Sequence, residues 1–418
     1  MFNTDSLDIL VVSCQRPGIS LGAQQRLTAI VRALALVGNA HLVHVAADRA
    51  PRISDNHPFV TEITHALEVP SRRSFRDRAR HELDSRCIDT VPFCVSAVDC
   101  AKMKARVDAF DVVWIHTIRA ANVFGIYRWP KSVLDIDDLP SSLYSSMARE
   151  ATGWRKRLAF ARMAAIWRRR EKRLAERFDV LTVCSAADRR RLGRASDVRV
   201  IPNGYEPAAP PPPRNPRLPP SVGFIGTFNW EPNRQGIEWL VSKVWPLVRR
   251  KIPDARLRLV GSGGSEGFNQ PSAGVDALGW VEDPAVEIAG WAGMVVPIRI
   301  GGGTRIKIVE AFARKCPVVS TTLGAYGYDL QHGDKILLAD SAADFARECL
   351  KLLTDFEYGR ALAERAHAEY SRRWTWSAIT PAIHEVVARV TQASARPGGE
   401  GPRYLRQKTT GGATRVSS

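Results

Sequence analysis

The stretch GGGTRIKIVEAF, residues 301–312, concentrates the groups in this chain best suited to chemistry. Three consecutive glycines let backbone N–H groups approach a ligand closely. Arg305 and Lys307 bring two full positive charges, and the helix that the pattern opens near Thr304 adds a partial one at its N-terminus. Amides, a helix start and two cations together form a site for a phosphate or diphosphate. The competing reading is a flexible loop ahead of a helix with two solvated cations. Glu310, three residues after Lys307, falls in the second turn of that helix. A carboxylate beside a phosphate repels it unless it has another task, and accepting hydrogen bonds from a ribose diol is such a task. The ligand implied is a nucleoside diphosphate bearing a further group.

These residues must be positioned by strands and helices, and the sequence supplies both. In the first 205 residues, LDILVVS (7–13), AHLVHVAA (40–47), DVVWIHT (111–117), SVLDID (132–137), DVLTVCS (179–185) and VRVIP (198–202) are near-continuous apolar runs. Such runs mark strands buried on both faces of a parallel sheet. Segments of helical period lie between them, including AQQRLTAIVRALALVG (23–38), in which Gly38 reads as a C-cap. The proline-rich stretch 207–220 reads as an extended connector. The pattern then restarts with SVGFIGT (221–227), RLRLVGS (256–262), DALGW (276–280), GMVVPI (293–298), PVVST (317–321) and KILLA (335–339). The expected organisation is an α/β chain of two Rossmann-like, doubly wound domains facing a central cleft. The first covers 1–206 and the second 221–375; a helix over 376–392 crosses back to the first domain, and a structureless tail spans 393–418. The GGG turn follows the strand at 293–298, and ligands bind outside the carboxyl ends of such strands.

The motifs VGFIGTFNWEPNRQGIEWLVSKVWPLV, LVGSGG, GWVED and VVPIRIGGGTRIKIVEAFARKCPVVSTTLGAYG resemble the donor half of the retaining glycosyltransferases of family 4, whose two-domain fold is GT-B. In the first half, PGISLGAQQRLTAIVRALA, DVVWIH and VLTVCSAADRRRL followed by VRVIPNGYEP are similar to that family's first domain. The resemblance implies transfer of a sugar from a nucleotide-sugar to an acceptor hydroxyl on a glycan, glycolipid or lipid-linked molecule, in polysaccharide biosynthesis, with no metal or other cofactor. By resemblance Arg305 and Lys307 hold the diphosphate, Glu310 the ribose, and the backbone of Gly301, Gly302, Gly303 and Thr304 lines the sugar and phosphates. Trp280 and Val281 edge the base, and Gly22 admits the backbone from across the cleft. His116 falls where the family carries a histidine near the reacting sugar; at the end of a strand it could bond a sugar hydroxyl or stabilise developing charge. Two departures stand out. Gly302 occupies the position where many members have a first glutamate, and TFNWEPNRQG lacks the family's Arg and Lys-Gly pair. Arg305 and Lys307 are therefore expected to take the whole phosphate load, with Thr227 and Asn233 adding polar contacts.

Other features bound the reading. DIDD (135–138) has the Asp-x-Asp spacing of metal-dependent transferases, but it lies far in sequence from the diphosphate site and reads as cleft-rim or capping residues. The net charge of +17 calls for an anionic partner. Ten Lys or Arg fall between Gly153 and Arg177, interleaved with Phe160, Met163, Trp167, Leu174 and Phe178 at helical spacing. The segment 153–178 reads either as a basic amphipathic helix for an anionic membrane or as an ordinary surface helix. No zinc spacing or stacking-aromatic motif supports nucleic-acid binding. A nucleotide-sugar epimerase on the same fold is the alternative enzyme, and GSGGSEG (261–267) lacks the spacing of a dinucleotide fingerprint. No run of 18 apolar residues exists, MFNTDSLDILVV lacks a basic leader region, and the seven cysteines form no CxxC pair. A cytoplasmic protein with reduced thiols is expected, with peripheral attachment at the inner membrane face as an added expectation.

Overall fold

The computed structural model describes residues 6–18, 22–47, 59–68, 82–84, 93–193, 197–216 and 218–394. In chain order the first domain runs β1 (Leu7–Ser13), α1 (Gly22–Leu34), β2 (Gly38–Ala47), β3 (Val60–Glu68), β4 (Phe93–Cys94), α2 (Ala97–Arg106), β5 (Val112–His116), β6 (Ser132–Ile136), α3 (Pro140–Glu150), α4 (Trp154–Glu171), β7 (Val180–Val183), α5 (Ala186–Leu192) and β8 (Asp197–Val200). The second runs β9 (Ser221–Ile225), α6 (Glu231–Trp239), α7 (Trp245–Arg249), β10 (Arg256–Val260), β11 (Val275–Gly279), α8 (Ala285–Ala289), β12 (Gly293–Val296), α9 (Ile306–Ala313), β13 (Val318–Ser320), β14 (Leu337–Leu338), α10 (Ala342–Thr354) and α11 (Phe356–Arg373), followed by α12 (Trp376–Ser394).

The second sheet has the order β11-β10-β9-β12-β13-β14, and the first β4-β3-β2-β1-β5-β6-β7-β8. Every pairing is parallel except β3 with β4. Both sheets therefore reverse direction once, between β1 and β5 and between β9 and β12. Those are the switch points where an open α/β sheet binds ligands. The expected pair of doubly wound domains, the GT-B arrangement, is what forms.

The sheets are buried on both faces because successive residues are apolar. Ile9 and Val11 pack with Trp114, α1 and α12, while Leu10 and Val12 pack with Ile115 and Trp167 on the opposite face. Helix α12 lies on the first domain: Ile379, Ile383 and Val387 join that core, and His384 Nε2 meets the Ala33 carbonyl at 2.8 Å.

Some expectations fail for physical reasons. Gly38 does not cap a helix; α1 ends at Leu34, and Gly38 opens β2, where a Cβ would stand 2.3 Å from the Leu7 carbonyl oxygen. The basic segment is not one helix: α4 stops at Glu171, and Leu174 and Phe178 turn into the core. Strands β3 and β4, mixed in polarity or very short, gave no apolar run to read. The expected tail and Cys87 lie outside the described residues, except that 393 and 394 continue α12.

Candidate functional site

The two switch points face each other. After β12 the chain passes Pro297 to Ile300 and enters the glycine turn, then α9. Across from it stand the start of α1, the end of β5 and the loop between β6 and α3. A Cβ on Gly22 would come within 2.7 Å of Ile306 Cδ1, so the first domain's turn touches the helix that carries Arg305 and Lys307 at its start. Gly22 is required here by close approach.

The glycine turn is fitted to the first domain. The Gly301 amide donates to Ser146 Oγ on α3 at 2.7 Å, so it is already committed. A Cβ on Gly302 would lie 3.2 Å from the Leu139 carbonyl oxygen and 3.3 Å from the Leu143 nitrogen, so any side chain there would press on the start of α3. Gly303 has φ +64, and a Cβ on it would overlap Asp138 Oδ1 at 1.4 Å. The amides of Gly302, Gly303 and Thr304 donate to no group among the described residues. Arg299 beside the turn bonds Glu150 of α3 at 2.9 Å.

Arg305 folds back over this turn. Its Nη1 donates to the Gly302 and Gly303 carbonyls, while Nε and Nη2 are buried without a partner. Two orphaned guanidinium nitrogens are costly unless an anion completes them. Lys307 Nζ donates to Asn233 Oδ1 at 3.1 Å and lies 3.8 Å above the Phe224 ring. Burial, then the Arg305 charge, drive the Lys307 amine well below its ordinary value of 10.5. A bound anion opposes both effects by favouring the charged amine.

Glu310 lies on α9 as expected, but its Oε1 is engaged. It accepts from the Tyr205 hydroxyl at 3.2 Å and from Arg314 Nε at 3.2 Å. The Arg314 Nη2 also donates to the Tyr205 oxygen at 2.7 Å. This clasp fixes the carboxylate's orientation. Thr227 Oγ1 makes no hydrogen bond among the described residues, and its carbonyl accepts from Asn233 Nδ2 at 2.8 Å, next to Lys307. Trp280 is two-thirds exposed (66%), and Val281 packs on the core that includes Ile308. Arg234 in α6 faces solvent, paired with Glu231, and adds nothing to the site.

His116 ends β5 fully buried. Its Nδ1 contacts Asp135 Oδ2 at 2.7 Å, and its Nε2 has no partner. A carboxylate on Nδ1 selects the tautomer with the proton there and leaves Nε2 as a free acceptor. Asp135 also receives Arg26 Nε at 3.0 Å, Arg26 Nη2 at 2.6 Å and the Thr182 hydroxyl at 2.6 Å. Burial alone would raise the Asp135 carboxyl, but Arg26 and His116 hold it well below the usual carboxylate range. Arg26 Nη1 continues to Asn203 Oδ1 at 3.0 Å, and Asn203 Nδ2 reaches Thr304 Oγ1 at 3.0 Å. A continuous polar path thus runs from His116 to the glycine turn.

Sequence reasoning missed Arg26, Asp135, Asp138 and Asn203. One signal was available: an aspartate inside a fully apolar strand needs a cationic partner. DIDD is far in sequence from the glycine turn, but the fold brings its Asp138 against Gly303 at the cleft. Asp135 and Asp137 diverge: Asp137 Oδ1 accepts from Asn203 at 3.1 Å and from the Cys184 thiol at 3.3 Å. The Asp138 side chain is exposed to the cleft. Burial, then the Asp137 charge, push its carboxyl well above the ordinary 3.8, with Arg305 pulling the other way. Among the described residues no cluster of three or more His, Cys, Asp or Glu could hold a metal ion.

Comparisons with known proteins bear on the fold and the second domain. Residues 219–355 match the family model of glycosyl transferases group 1. An uncharacterized 44.6 kDa protein from the cps region of Klebsiella pneumoniae is 28% identical over 140 residues, which span 31% of this chain and 36% of that protein. Among solved structures, HepE of Anabaena in complex with UDP and glucose superposes with a TM-score of 0.60 at 18% identity, covering 91% of this chain and 99% of that one. Sucrose-phosphate synthase of Thermosynechococcus elongatus gives 0.63 at 19% identity, covering 92% and 99%. WaaG, described as a glycosyltransferase involved in lipopolysaccharide biosynthesis, gives 0.58 at 13% identity, covering 90% and 99%. Residues 219–355 are thus similar to group 1 glycosyltransferases, and the whole chain has the two-domain fold of these structures.

Proposed function

We propose that the protein transfers a sugar from a nucleoside-diphosphate sugar to an acceptor hydroxyl, retaining the anomeric configuration and needing no metal. The observation that carries this reading is the pair of unpartnered, buried nitrogens on Arg305, beside Lys307 and the free amides of residues 302–304. They lie at a switch point that faces a second domain. UDP bound to HepE, a protein of the same fold, supports a nucleoside diphosphate as the ligand.

In this reading the diphosphate is the leaving group. As the anomeric bond breaks, negative charge grows on its oxygen, and Arg305, Lys307 and the amides stabilise that charge most in the transition state. The acceptor hydroxyl attacks from the same face and the departing phosphate oxygen takes its proton. His116, oriented by Asp135, offers Nε2 to a hydroxyl of the sugar, and Glu310, clasped by Tyr205 and Arg314, keeps Oε2 for the ribose. Trp280 and Val281 edge the base.

No helix among the described residues is long and apolar enough to cross a membrane. Peripheral contact with an anionic membrane is supported by the first turns of α4, where Trp154 (71% exposed) and Leu158 (63%) stand among Arg155, Lys156 and Arg157. Sedimentation with anionic vesicles, reversed by salt, is the expected result.

The activity is tested by incubating the protein with a panel of UDP-, GDP- and TDP-sugars in chelator and following nucleotide release, then recording the anomeric configuration by NMR. Release of one nucleoside diphosphate with a retained anomer is expected. Binding of none of the panel, or an inverted product, overturns the reading.

A further inference from the structure

A cavity of about 530 Å³ opens between α3, α4 and α5 on the first domain, beside the glycine turn. Four cations line it: Arg149, Arg168, Lys172 and Arg191. Arg168 Nη2 donates to Ser145 Oγ at 2.9 Å and Arg191 Nη1 to Ser142 Oγ at 2.6 Å, so their hydrogen-bond partners are neutral hydroxyls. The side chains of Arg149 and Lys172 have no partner among the described residues. One acid, Glu171, lies at the wall, and it is spent on the start of α3: it accepts from the Ser141 amide at 2.8 Å and the Ser141 hydroxyl at 2.5 Å. Burial raises its carboxyl above its ordinary value, against the pull of the Ser141 bonds and the nearby Arg191 and Arg168. Like charges gathered around a concavity repel one another, and they are tolerated where an anion is received.

The cavity is joined to the donor site by one residue. Ser142, held by Arg191, has its Cβ 3.3 Å from where a Gly302 Cβ would be. A group anchored among the four cations is thus one side chain away from the turn proposed to carry the donor sugar.

We propose that this cavity binds the phosphate or diphosphate of the acceptor, so that the protein glycosylates a phosphorylated acceptor rather than a neutral glycan. The proposal rests on the glycosyl-transfer reading above. Four cations against one acid exceed what a single carboxylate neutralises, and guanidinium forks match phosphate oxygens in geometry. The phosphate is carried either by a soluble sugar phosphate or by a lipid.

The test is calorimetric titration of UDP-saturated protein with inorganic pyrophosphate and, separately, with a short-chain alkyl diphosphate. A second site is expected, weakened at least tenfold in R149A/K172A and recovered in R149K/K172R; these side chains are exposed, and an unchanged melting temperature confirms folding. Tighter binding of the alkyl compound assigns the phosphate to a lipid, and equal binding assigns it to a soluble acceptor. The same titration in the Arg305→Ala protein separates the two proposals, since pyrophosphate binding at the cavity persists there even if no nucleotide binds anywhere. Pyrophosphate that only competes with UDP, or binds R149A/K172A as well as wild type, overturns the inference.

Discussion

Replacing Arg305 with alanine is the sharpest test of the donor site. In the free protein this side chain makes its bonds through Nη1, to the Gly302 and Gly303 carbonyls, while Nε and Nη2 are buried and unpartnered. Each charge-assisted hydrogen bond contributes about 1.5–3 kcal/mol, so two of them to a diphosphate amount to about 3–6 kcal/mol. At about 1.4 kcal/mol per tenfold change, the substitution should cut kcat/KM by about 10²–10⁴. Because the leaving group gains charge as the bond breaks, kcat should fall as well as donor affinity. Arg305→Lys restores the charge but not the fork, and should recover part of the loss. Steady-state kinetics with the preferred nucleotide-sugar, UDP titration and a thermal melt separate these effects. A loss below tenfold, with the fold intact, refutes the assignment of those two nitrogens to the diphosphate.

Other perturbations follow from the same geometry. Lys307 is held below its ordinary value by burial and Arg305, and a diphosphate restores its charge; binding should therefore take up a proton and weaken as pH rises toward 10.5, read from calorimetry in buffers of different ionisation enthalpy. Asp135→Asn leaves the buried Arg26 guanidinium without its counter-ion and should cost about 3–5 kcal/mol of stability in a denaturant melt, while also freeing the His116 ring. Gly303→Ala places a methyl on Asp138 at a left-handed φ and should weaken nucleotide binding more than tenfold by displacing the turn.

The fold was legible where local pattern and long-range structure coincide. Apolar runs such as LDILVVS and DVVWIH read as strands covered on both faces and form them, and the proposed anion site rests on a dozen contiguous residues of the GGG turn and its cations. His116 and Asp135 stood in legible motifs, but their joining with Arg26 and Asn203 was not legible, because the network's bonds span 109 and 177 positions of chain. Gly38 misled because a glycine after a helical period usually ends a helix, whereas here the requirement is set by Leu7 on the neighbouring strand. The basic segment misled because Leu174 and Phe178 keep helical spacing after the helix has ended.

The glycines themselves answer to two demands at once. Read from sequence, they open a path for a ligand; in the fold, each is also shaped by the first domain, through Ser146 at Gly301, Leu139 and Leu143 at Gly302, and Asp138 at Gly303. The turn therefore cannot be described as part of one domain. Its amides at 302–304 are left without an internal acceptor while α3 and the loop before it hold the turn from the other side. Any motion that parts the domains releases Ser146, Asn203 and Arg299 together, and with them the conformation in which the amides and Arg305 converge. Domain closure and assembly of the proposed anion site are, on this geometry, a single event.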